Sequence, residues 1–225
     1  MLRKELKAII TESRRWGWVL EPEAKRLLAI CGIDVPKFLW AKGSEEAVQF
    51  AEKIGYPVVG KLVSPKALHK SEVGGVVVGI DGAKSLEETF HRFSSFKNFS
   101  GMLIEEMVSG TELIVGAKVD YQFGPVILLG MGGTAVEIYK DTTLRMAPLK
   151  EKDVESMLKG LQAHELLKGY RGSQPVNLKK LARTLMAFSS LVMDLEGYFE
   201  SIDLNPVMCS SKRCVVADAR IMLQT

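Results

Sequence analysis

A basic loop between two short apolar stretches contains the first residues that could do chemistry. His69 lies in this loop between Lys66 and Lys70, and Gly74 and Gly75 follow it. A neutral imidazole nitrogen is nucleophilic near pH 7, so His69 could accept a phosphoryl group whose charge the lysines would stabilise. Backbone amides at glycines can approach phosphate oxygens closely. The same pattern also fits an ordinary solvated loop histidine, and both interpretations stay open on the residues alone.

A lysine and three acids lie in or beside apolar stretches on either side of this loop. Lys61 is inside the stretch 58–63, where it would be either a fixed cation for nucleotide phosphates or an edge-strand lysine facing water. Glu105, Glu106 and Glu112 come later, and a glutamate in such a position can accept from ribose hydroxyls. Strand alternation places Glu105 and Glu106 on opposite faces, so one of them is expected to be solvated.

A third group of polar residues lies near the C-terminus. Asp203 and Asn205 alternate with apolar residues in ESIDLNPV, which predicts that they share one face of a strand. With a hairpin turn at 211–212, Asn205 falls opposite Asp218. An amide oxygen and a carboxylate at that spacing suit Mg²⁺, which takes its other ligands from nucleotide phosphates and water. The alternative is an amphipathic hairpin whose polar face lies in solvent.

Hydrophobic periodicity and turn residues predict a mixed α/β organisation around these groups. Helices are predicted over 2–15, from Pro22 to Gly32, from a cap at Ser44 to Gly55, from a capping box at 85–88, over 151–160, and over 178–196 with Asn177 as cap. Strands are predicted over 36–41, 58–63, 76–80, 102–108, 113–120, 126–130, 199–207 and 214–221. The strands at 102–108 and 113–120 are expected to pair across Ser109 and Gly110.

Composition argues against several functional classes. The 225 residues carry 30 Lys and Arg against 27 Asp and Glu, and a net charge of +3 does not indicate a nucleic-acid binder. No apolar run is long enough to span a bilayer, and the N-terminus lacks the apolar core of a secretion signal. Three cysteines without a CxxC pair are typical of reduced thiols in a cytoplasmic protein. No Walker motif occurs, and GMGGT at 130–134 is either a phosphate cradle or a common turn.

The motifs, taken in order, resemble one family over about residues 18–223. The segments GYPVVGKLVSPKALHKSEVGGV, LIEEMVSGTELIVGAKVDYQFGPVILLGMGGTAVEI, LRMAPL, IDLNPV and ADARI are similar to the ATP-grasp β subunit of ADP-forming acetyl-CoA synthetase. The most specific of them is SPKALHKSEVGGV. A more distant likeness, through ELxxGA and NP…DA, is to the β subunit of succinyl-CoA synthetase.

This resemblance implies an ATP-grasp fold of the α/β (α+β) class, in which two lobes with mostly antiparallel sheets grip a nucleotide. Residues 38–103 would form the small lobe with the phosphohistidine and the glycine flap. Residues 104–225 would form the large lobe with the magnesium site. The helices within 1–37 would pack on the large lobe.

The resemblance also implies a role for each candidate residue toward ATP or ADP. Lys61 would bind phosphate, Gly74 and Gly75 would cover the phosphates, and Glu112 would contact ribose. The hinge against adenine would be formed by Glu105, Glu106, Met107 and Val108. Mg²⁺ would be held by Asn205 and Asp218, with Asp203 as a supporting group.

His69 matches the second phosphohistidine of that family. The resemblance implies a partner α subunit that binds CoA and carries its own phosphohistidine, in an α2β2 heterotetramer. The net reaction would convert acetyl-CoA, ADP and phosphate reversibly into acetate, CoA and ATP, with His69 relaying the phosphoryl group. The loop on both sides of His69 contains no obvious rigid element, as a relay would need. Neither a membrane nor a nucleic acid is expected as a partner.

Two other functions stay open on the residues. An ATP-grasp carboxylate–amine ligase would need no histidine relay, because an amine attacks the acyl phosphate directly. A regulatory nucleotide-binding module would bind ATP without forming a phosphoprotein. Phosphorylation of the chain that is lost when His69 is substituted would distinguish the synthetase from both.

Overall fold

The computed structural model describes residues 4–133, 140–171 and 174–224. These residues form two compact units. The larger unit combines the described parts of 1–35 and 109–225, and the smaller unit is 36–108. The sequence predicts a small lobe at 38–103. The smaller unit begins two residues before that range and ends five residues after it.

The described residues contain seven α-helices, most of them where periodicity predicts them. They are α1 (Lys4–Ser13), α2 (Glu21–Ile30), α3 (Ser44–Ile54), α4 (Ala83–Ser94), α5 (Glu151–Gly160), α6 (His164–Leu167) and α7 (Leu178–Asp194). The predicted cap of α7 is confirmed, because the Asn177 side chain accepts from the Lys180 N–H at 3.0 Å. Within the described ranges, no helix has both the length and the apolar character needed to cross a membrane.

Two predicted helix caps are wrong because glycine occupies the cap position. α3 begins at Ser44 itself, after an extended Gly43. α4 begins at Ala83, after an extended Gly82, so Ser85 lies within the first turn and donates to the Gly82 carbonyl at 3.0 Å. Glycine is an acceptable cap residue, and serine within the first turn satisfies its hydroxyl locally.

Eleven described strands form two sheets. They are β1 (Trp18–Val19), β2 (Phe38–Ala41), β3 (Val58–Leu62), β4 (Val76–Ile80), β5 (Met102–Glu106), β6 (Thr111–Asp120), β7 (Gly124–Met131), β8 (Thr142–Met146), β9 (Phe199–Cys209), β10 (Cys214–Val216) and β11 (Ala219–Leu223). Sequence reasoning missed β1 and β8.

The smaller unit is a four-stranded antiparallel sheet in the order β2-β5-β3-β4, with α3 and α4 on one face. Its core is formed by apolar residues of the helices and of alternate strand positions: Ala47, Val58, Leu62, Leu86, Phe93, Met102 and Ile104. Strand alternation therefore directs Lys61, Leu103 and Glu105 to the opposite face of the sheet.

The larger unit is built on an antiparallel sheet in the order β1-β11-β9-β6-β7-β8, with β10 also paired to β9. Helices α1, α2, α5 and α7 contribute buried residues to its core. The core is centred on β6 and β9, whose inward residues Val115, Leu204 and Val207 are completely buried. This sheet positions Glu112, Asp203, Asn205 and Asp218.

The predicted pairing of 102–108 with 113–120 is wrong. β5 ends at Glu106 in the smaller sheet, whereas β6 pairs with β7 and β9 in the larger one. Ser109 and Gly110 therefore lie in the connection between two sheets rather than in a hairpin turn. Gly110 passes so close to β9 that a Cβ there would lie 2.4 Å from the Cys209 carbonyl oxygen.

Candidate functional site

The pairing that the sequence predicts for the C-terminal strands is confirmed. The turn at 211–212 is closed by the Ser210 N–H, which donates to the Arg213 carbonyl at 2.8 Å. Val207 lies opposite Val216 and Leu204 opposite Ala219, in one continuous register. Asn205 and Asp218 consequently face each other, and the Asn205 N–H donates to the Asp218 carbonyl at 3.2 Å.

Asn205 lies in an irregularity of the sheet that the sequence did not predict. Leu204 and Val207 pair with Val115 and Leu113 of β6, so two residues of β9 oppose a single residue of β6. A bulge of this kind turns a side chain out of the regular alternation. The structure thus places Asn205 in an exposed position while the residues on either side of the bulge stay buried.

Asp203, which was predicted to support the metal site, forms an ion pair with an arginine. Arg220 lies directly opposite on β11, and its Nη2 is 3.0 Å from the Asp203 Oδ2. Both side chains are about one third exposed. Sequence reasoning missed Arg220, although the predicted register already placed it across from Asp203.

The donor set of Asn205 and Asp218 fits Mg²⁺. No group of three or more His, Cys, Asp or Glu side chains in the described part of the chain could hold a metal ion. One amide oxygen and one carboxylate match a site that nucleotide phosphates and water complete, as Mg²⁺ prefers. The Asp218 carboxylate is already oriented, because its Oδ1 accepts from the Ala219 N–H at 3.0 Å.

Glu112 lies on β6 with an exposed side chain, and the end of β7 packs closely beside it. The Gly132 N–H donates to the Glu112 carbonyl at 2.7 Å, and a Cβ on Gly132 would lie 2.8 Å from Glu112 backbone carbon. The second glycine of GMGGT is therefore required for this close approach. Thr134, the last residue of the motif, lies outside the described residues.

Lys61 is a buried cation in an interior strand, so the edge-strand interpretation is wrong. β3 lies between β5 and β4, and the Lys61 Nζ is 3.0 Å from the Glu105 Oε2. The two side chains are 8% and 2% exposed, respectively. Burial of a charge is tolerated when it is paired in this way. The pair therefore holds an ammonium ion at a fixed position on the sheet.

The residues predicted as the adenine hinge are Glu105 of this ion pair and the three residues that follow it in the sequence. Glu106 is half-buried at the end of β5, and its N–H donates to the Lys37 carbonyl at 3.0 Å. Glu105 is buried, whereas Glu106, on the face expected to be solvated, is only partly exposed. Met107 is exposed and Val108 is half-buried in the segment after the strand.

His69 is accessible in the loop between β3 and β4. Its side chain is 56% exposed, and its Nδ1 lies 3.7 Å from the exposed carboxylate of Glu72. Lys66 is exposed, whereas Lys70 is buried. Because Glu72 lies beside Nδ1, Nε2 is the ring nitrogen farther from that negative charge. An exposed imidazole with a carboxylate on one side is suited to act as a nucleophile at the other.

The loop is more regular than the sequence predicts. Residues 71–73 form a 3-10 turn, and Gly74 follows it with a left-handed φ of 65°. The Gly74 and Gly75 N–H groups donate to the carbonyls of Ser71 and Lys70 at 3.2 and 2.7 Å. In this conformation both glycine amides are therefore bound within the turn.

Comparison with known proteins agrees with a fold of helices and antiparallel sheets. Residues 10–223 match the family model of the ATP-grasp domain. The chain belongs to the ATP-grasp family. The predicted ATP-grasp fold, with antiparallel sheets and helices in two units, is therefore confirmed.

Individual ATP-grasp relatives are similar to nearly the whole chain. The β subunit of ADP-forming acetate–CoA ligase I from Pyrococcus furiosus is 39% identical over 213 residues, which are 91% of each chain. ADP-forming 4-hydroxybutyrate–CoA ligase from Nitrosopumilus maritimus is 40% identical over 91% of this chain, but the match spans only 31% of that longer protein. These similarities confirm the predicted resemblance to β subunits of ADP-forming acetyl-CoA synthetase.

A solved structure shows the same ATP-grasp fold with ligands. Acetyl-coenzyme A synthetase 1 from Ca. Korarchaeum cryptofilum superimposes with a TM-score of 0.86 and 36% identity over 97% of this chain and 100% of that chain. That structure is a complex with coenzyme A and Mg-AMPPCP, and its phosphohistidine segment points toward the nucleotide binding site.

Proposed function

We propose that this chain is the nucleotide-binding β subunit of an ADP-forming acyl-CoA synthetase. With an α subunit, it would convert an acyl-CoA, ADP and phosphate reversibly into the free acid, CoA and ATP. The observation that carries the proposal is the similarity to the Pyrococcus furiosus β subunit, which extends over 91% of both chains. The exposed His69 supports it, since the reaction needs an accessible phosphoryl acceptor.

His69 carries the phosphoryl group in this proposal. In the ATP-consuming direction, a ring nitrogen attacks the γ-phosphorus while the bond to the β,γ-bridging oxygen breaks, and ADP leaves with that electron pair. In-line attack requires the imidazole to reach the nucleotide. The corresponding segment of the Ca. Korarchaeum cryptofilum enzyme points toward its nucleotide site. The exposure of its side chain suits His69 for this role.

Lys61 binds the nucleotide phosphates, and Glu105 holds its ammonium group in place. An ammonium group has three donors, so pairing with Glu105 at 3.0 Å is compatible with a phosphate contact. Glu112 accepts from the ribose, and the segment from Glu106 to Val108 lies against adenine. Gly74 and Gly75 cover the phosphates once the turn that binds their amides opens.

Asn205 and Asp218 hold Mg²⁺ in this proposal. When bound, the ion neutralises charge on the phosphate oxygens. The two residues face each other across one hairpin, and Asp218 is oriented by the Ala219 N–H. Asp203 neutralises Arg220 at the neighbouring position and supports the hairpin rather than the ion.

The partner is an α subunit that binds CoA and carries a second phosphohistidine, in an α2β2 assembly. One relative is itself a β subunit, and another contains the matching region as 31% of a longer ligase. A β subunit implies a partner subunit, and the longer ligase has further residues outside the matching region. We place the assembly in the cytoplasm.

Phosphate transfer to the chain tests the proposal. The protein is incubated with γ-labelled ATP and Mg²⁺, with and without a candidate α subunit, and the label is tested for the acid-labile, base-stable behaviour of phosphohistidine. Label is expected on the wild type and on His91→Ala, a matched control at an exposed histidine of α4, but not on His69→Ala. Bound ATP without any label would contradict the relay and favour a ligase without a histidine or a binding module.

A further inference from the structure

A buried lysine of α2 reaches the segment that carries Asp218. The Lys25 side chain has no exposed surface, and its Nζ donates to the Ala217 carbonyl at 2.7 Å. The same Nζ lies 3.1 Å from the carboxylate of Glu21, which is also buried and lies one helical turn earlier. Burial of an unpaired ammonium ion is strongly unfavourable, so Glu21 makes this position tenable for Lys25.

The acceptor of this hydrogen bond lies in the irregular part of the hairpin. Ala217 and Asp218 fill the gap between the Val216 and Ala219 pairings with β9. The Ala217 N–H donates to the Pro206 carbonyl at 2.9 Å, which ties this segment to the bulge that contains Asn205. Lys25 adds a fixed donor on the carbonyl side of the same residue. Ala217 is therefore held by the strand through its N–H and by the helix through its carbonyl.

An ion pair is an unusual choice for this position if stability alone is required. Replacement of a buried ion pair by apolar residues of similar size is often neutral or stabilising. The neighbours of Lys25 on the same helix, Ala24 and Leu28, are completely buried and show that the surroundings accept apolar side chains. What a lysine supplies, and an apolar residue cannot, is a directed hydrogen bond to the Ala217 carbonyl.

We propose that Glu21 and Lys25 are positioning residues for the metal ion. By fixing the Ala217 carbonyl, they set the direction in which the next residue presents its carboxylate. The inference rests on the proposed function, in which Asn205 and Asp218 are the ligands of Mg²⁺. Loss of groups that orient metal ligands typically lowers metal affinity about 10- to 100-fold, and we expect a decrease in that range.

The test measures Mn²⁺ binding to the full chain in the presence of ADP, by electron paramagnetic resonance, together with thermal unfolding without metal. Lys25→Met alone leaves the Glu21 carboxylate buried without its cation and is expected to unfold at a lower temperature. The informative protein is therefore the double variant Glu21→Gln with Lys25→Met, which removes both charges. Asp34→Asn is the matched control, because it removes a half-exposed ion pair with Arg213 at the same hairpin.

We expect the double variant to unfold near the wild-type temperature while its Mn²⁺ affinity falls at least about tenfold. Asp34→Asn should bind Mn²⁺ as the wild type does, and Asp218→Asn should lose the site. Wild-type affinity in the double variant, with the site lost in Asp218→Asn, would overturn the positioning role alone. A wild-type chain that binds no Mn²⁺ with ADP would overturn the proposed function as well.

Discussion

The Lys61 ammonium and the Glu105 carboxylate form an ion pair at 3.0 Å on two adjacent interior strands. Both side chains are almost completely buried, and each charge offsets the other. A nucleotide phosphate that approaches Lys61 would meet a cation whose position is already fixed. The pair therefore links the stability of the smaller unit to its proposed use.

Removal of one member of this pair should cost more than removal of both. Lys61→Met leaves a buried carboxylate, and we expect it to lower the free energy of unfolding by about 3–5 kcal/mol. The double variant Lys61→Met with Glu105→Gln should recover most of that loss but should still bind ATP weakly. Denaturant unfolding and ATP titration check both effects. Equal destabilisation by the single and double variants would show that the charges are not coupled.

The Glu112 side chain should contribute to binding affinity only for nucleotides that have ribose hydroxyls. Glu112→Gln weakens an acceptor for a hydroxyl donor, so ATP affinity should fall about tenfold. Affinity for 2′,3′-dideoxy-ATP should be unchanged, because that nucleotide lacks the donors. Titration of both proteins with both nucleotides measures the coupling. An equal loss for the two nucleotides would contradict a ribose contact.

Asp203 and Asp218 should respond differently to loss of charge. Asp218→Asn is expected to abolish the Mg²⁺ dependence of nucleotide binding. Asp203→Asn should change Mg²⁺ affinity by no more than about twofold, because it breaks a partly exposed ion pair with Arg220 that contributes little. Nucleotide titrations at several Mg²⁺ concentrations distinguish the two. A large effect of Asp203→Asn would restore its predicted role beside the metal.

The left-handed Gly74 should limit which residues the turn after His69 accepts. Its φ of 65° costs a residue with a side chain about 1–2 kcal/mol, although asparagine tolerates it better than alanine. No atom lies within 4 Å of a Cβ built there, so a steric clash does not contribute. We expect Gly74→Ala to lower the rate of His69 labelling and Gly74→Asn to lower it less. The two rates in parallel labelling reactions provide the check, and identical rates would argue against a conformational cause.

Cys209 should be the least reactive of the three thiols. The hydrogen bond that it donates to Cys214 and its burial both raise the pKa of Cys209, so little thiolate forms at pH 8. Cys31 is half-exposed and should be alkylated first by iodoacetamide. Mass spectrometry of timed samples gives the order of modification. Modification of Cys209 as fast as that of Cys31 would contradict the buried thiol pair.

Sequence patterns predicted the parts of the site that depend on local alternation. The period of two in ESIDLNPV and a two-residue turn were sufficient to place Asn205 opposite Asp218. The same arithmetic gave no sign of the bulge, because a bulge depends on how β9 meets β6, a strand distant in sequence. The partner of Asn205 across the hairpin was thus predictable, whereas its position in a bulge was not.

Other features were missed because tertiary context decided them. β8 is an edge strand whose residues are exposed or half-buried, so it lacks an apolar signature. The burial of Lys61 follows from the position of β3 between two other strands, which its own sequence does not encode. Glu21 and Lys25 gave only an i,i+4 charge pattern, the same pattern that a solvated helix face shows.

The strand order of the larger sheet also constrains when the protein can acquire its structure during synthesis. β1, near the start of the chain, pairs with β11 at its end, and β9 inserts between β11 and β6. The smaller unit, in contrast, is the continuous segment 36–108. On the ribosome the smaller unit can fold while the rest is still being translated. The larger unit has to wait for the hairpin that carries Asn205 and Asp218, so it is exposed to misfolding for longer than the smaller unit.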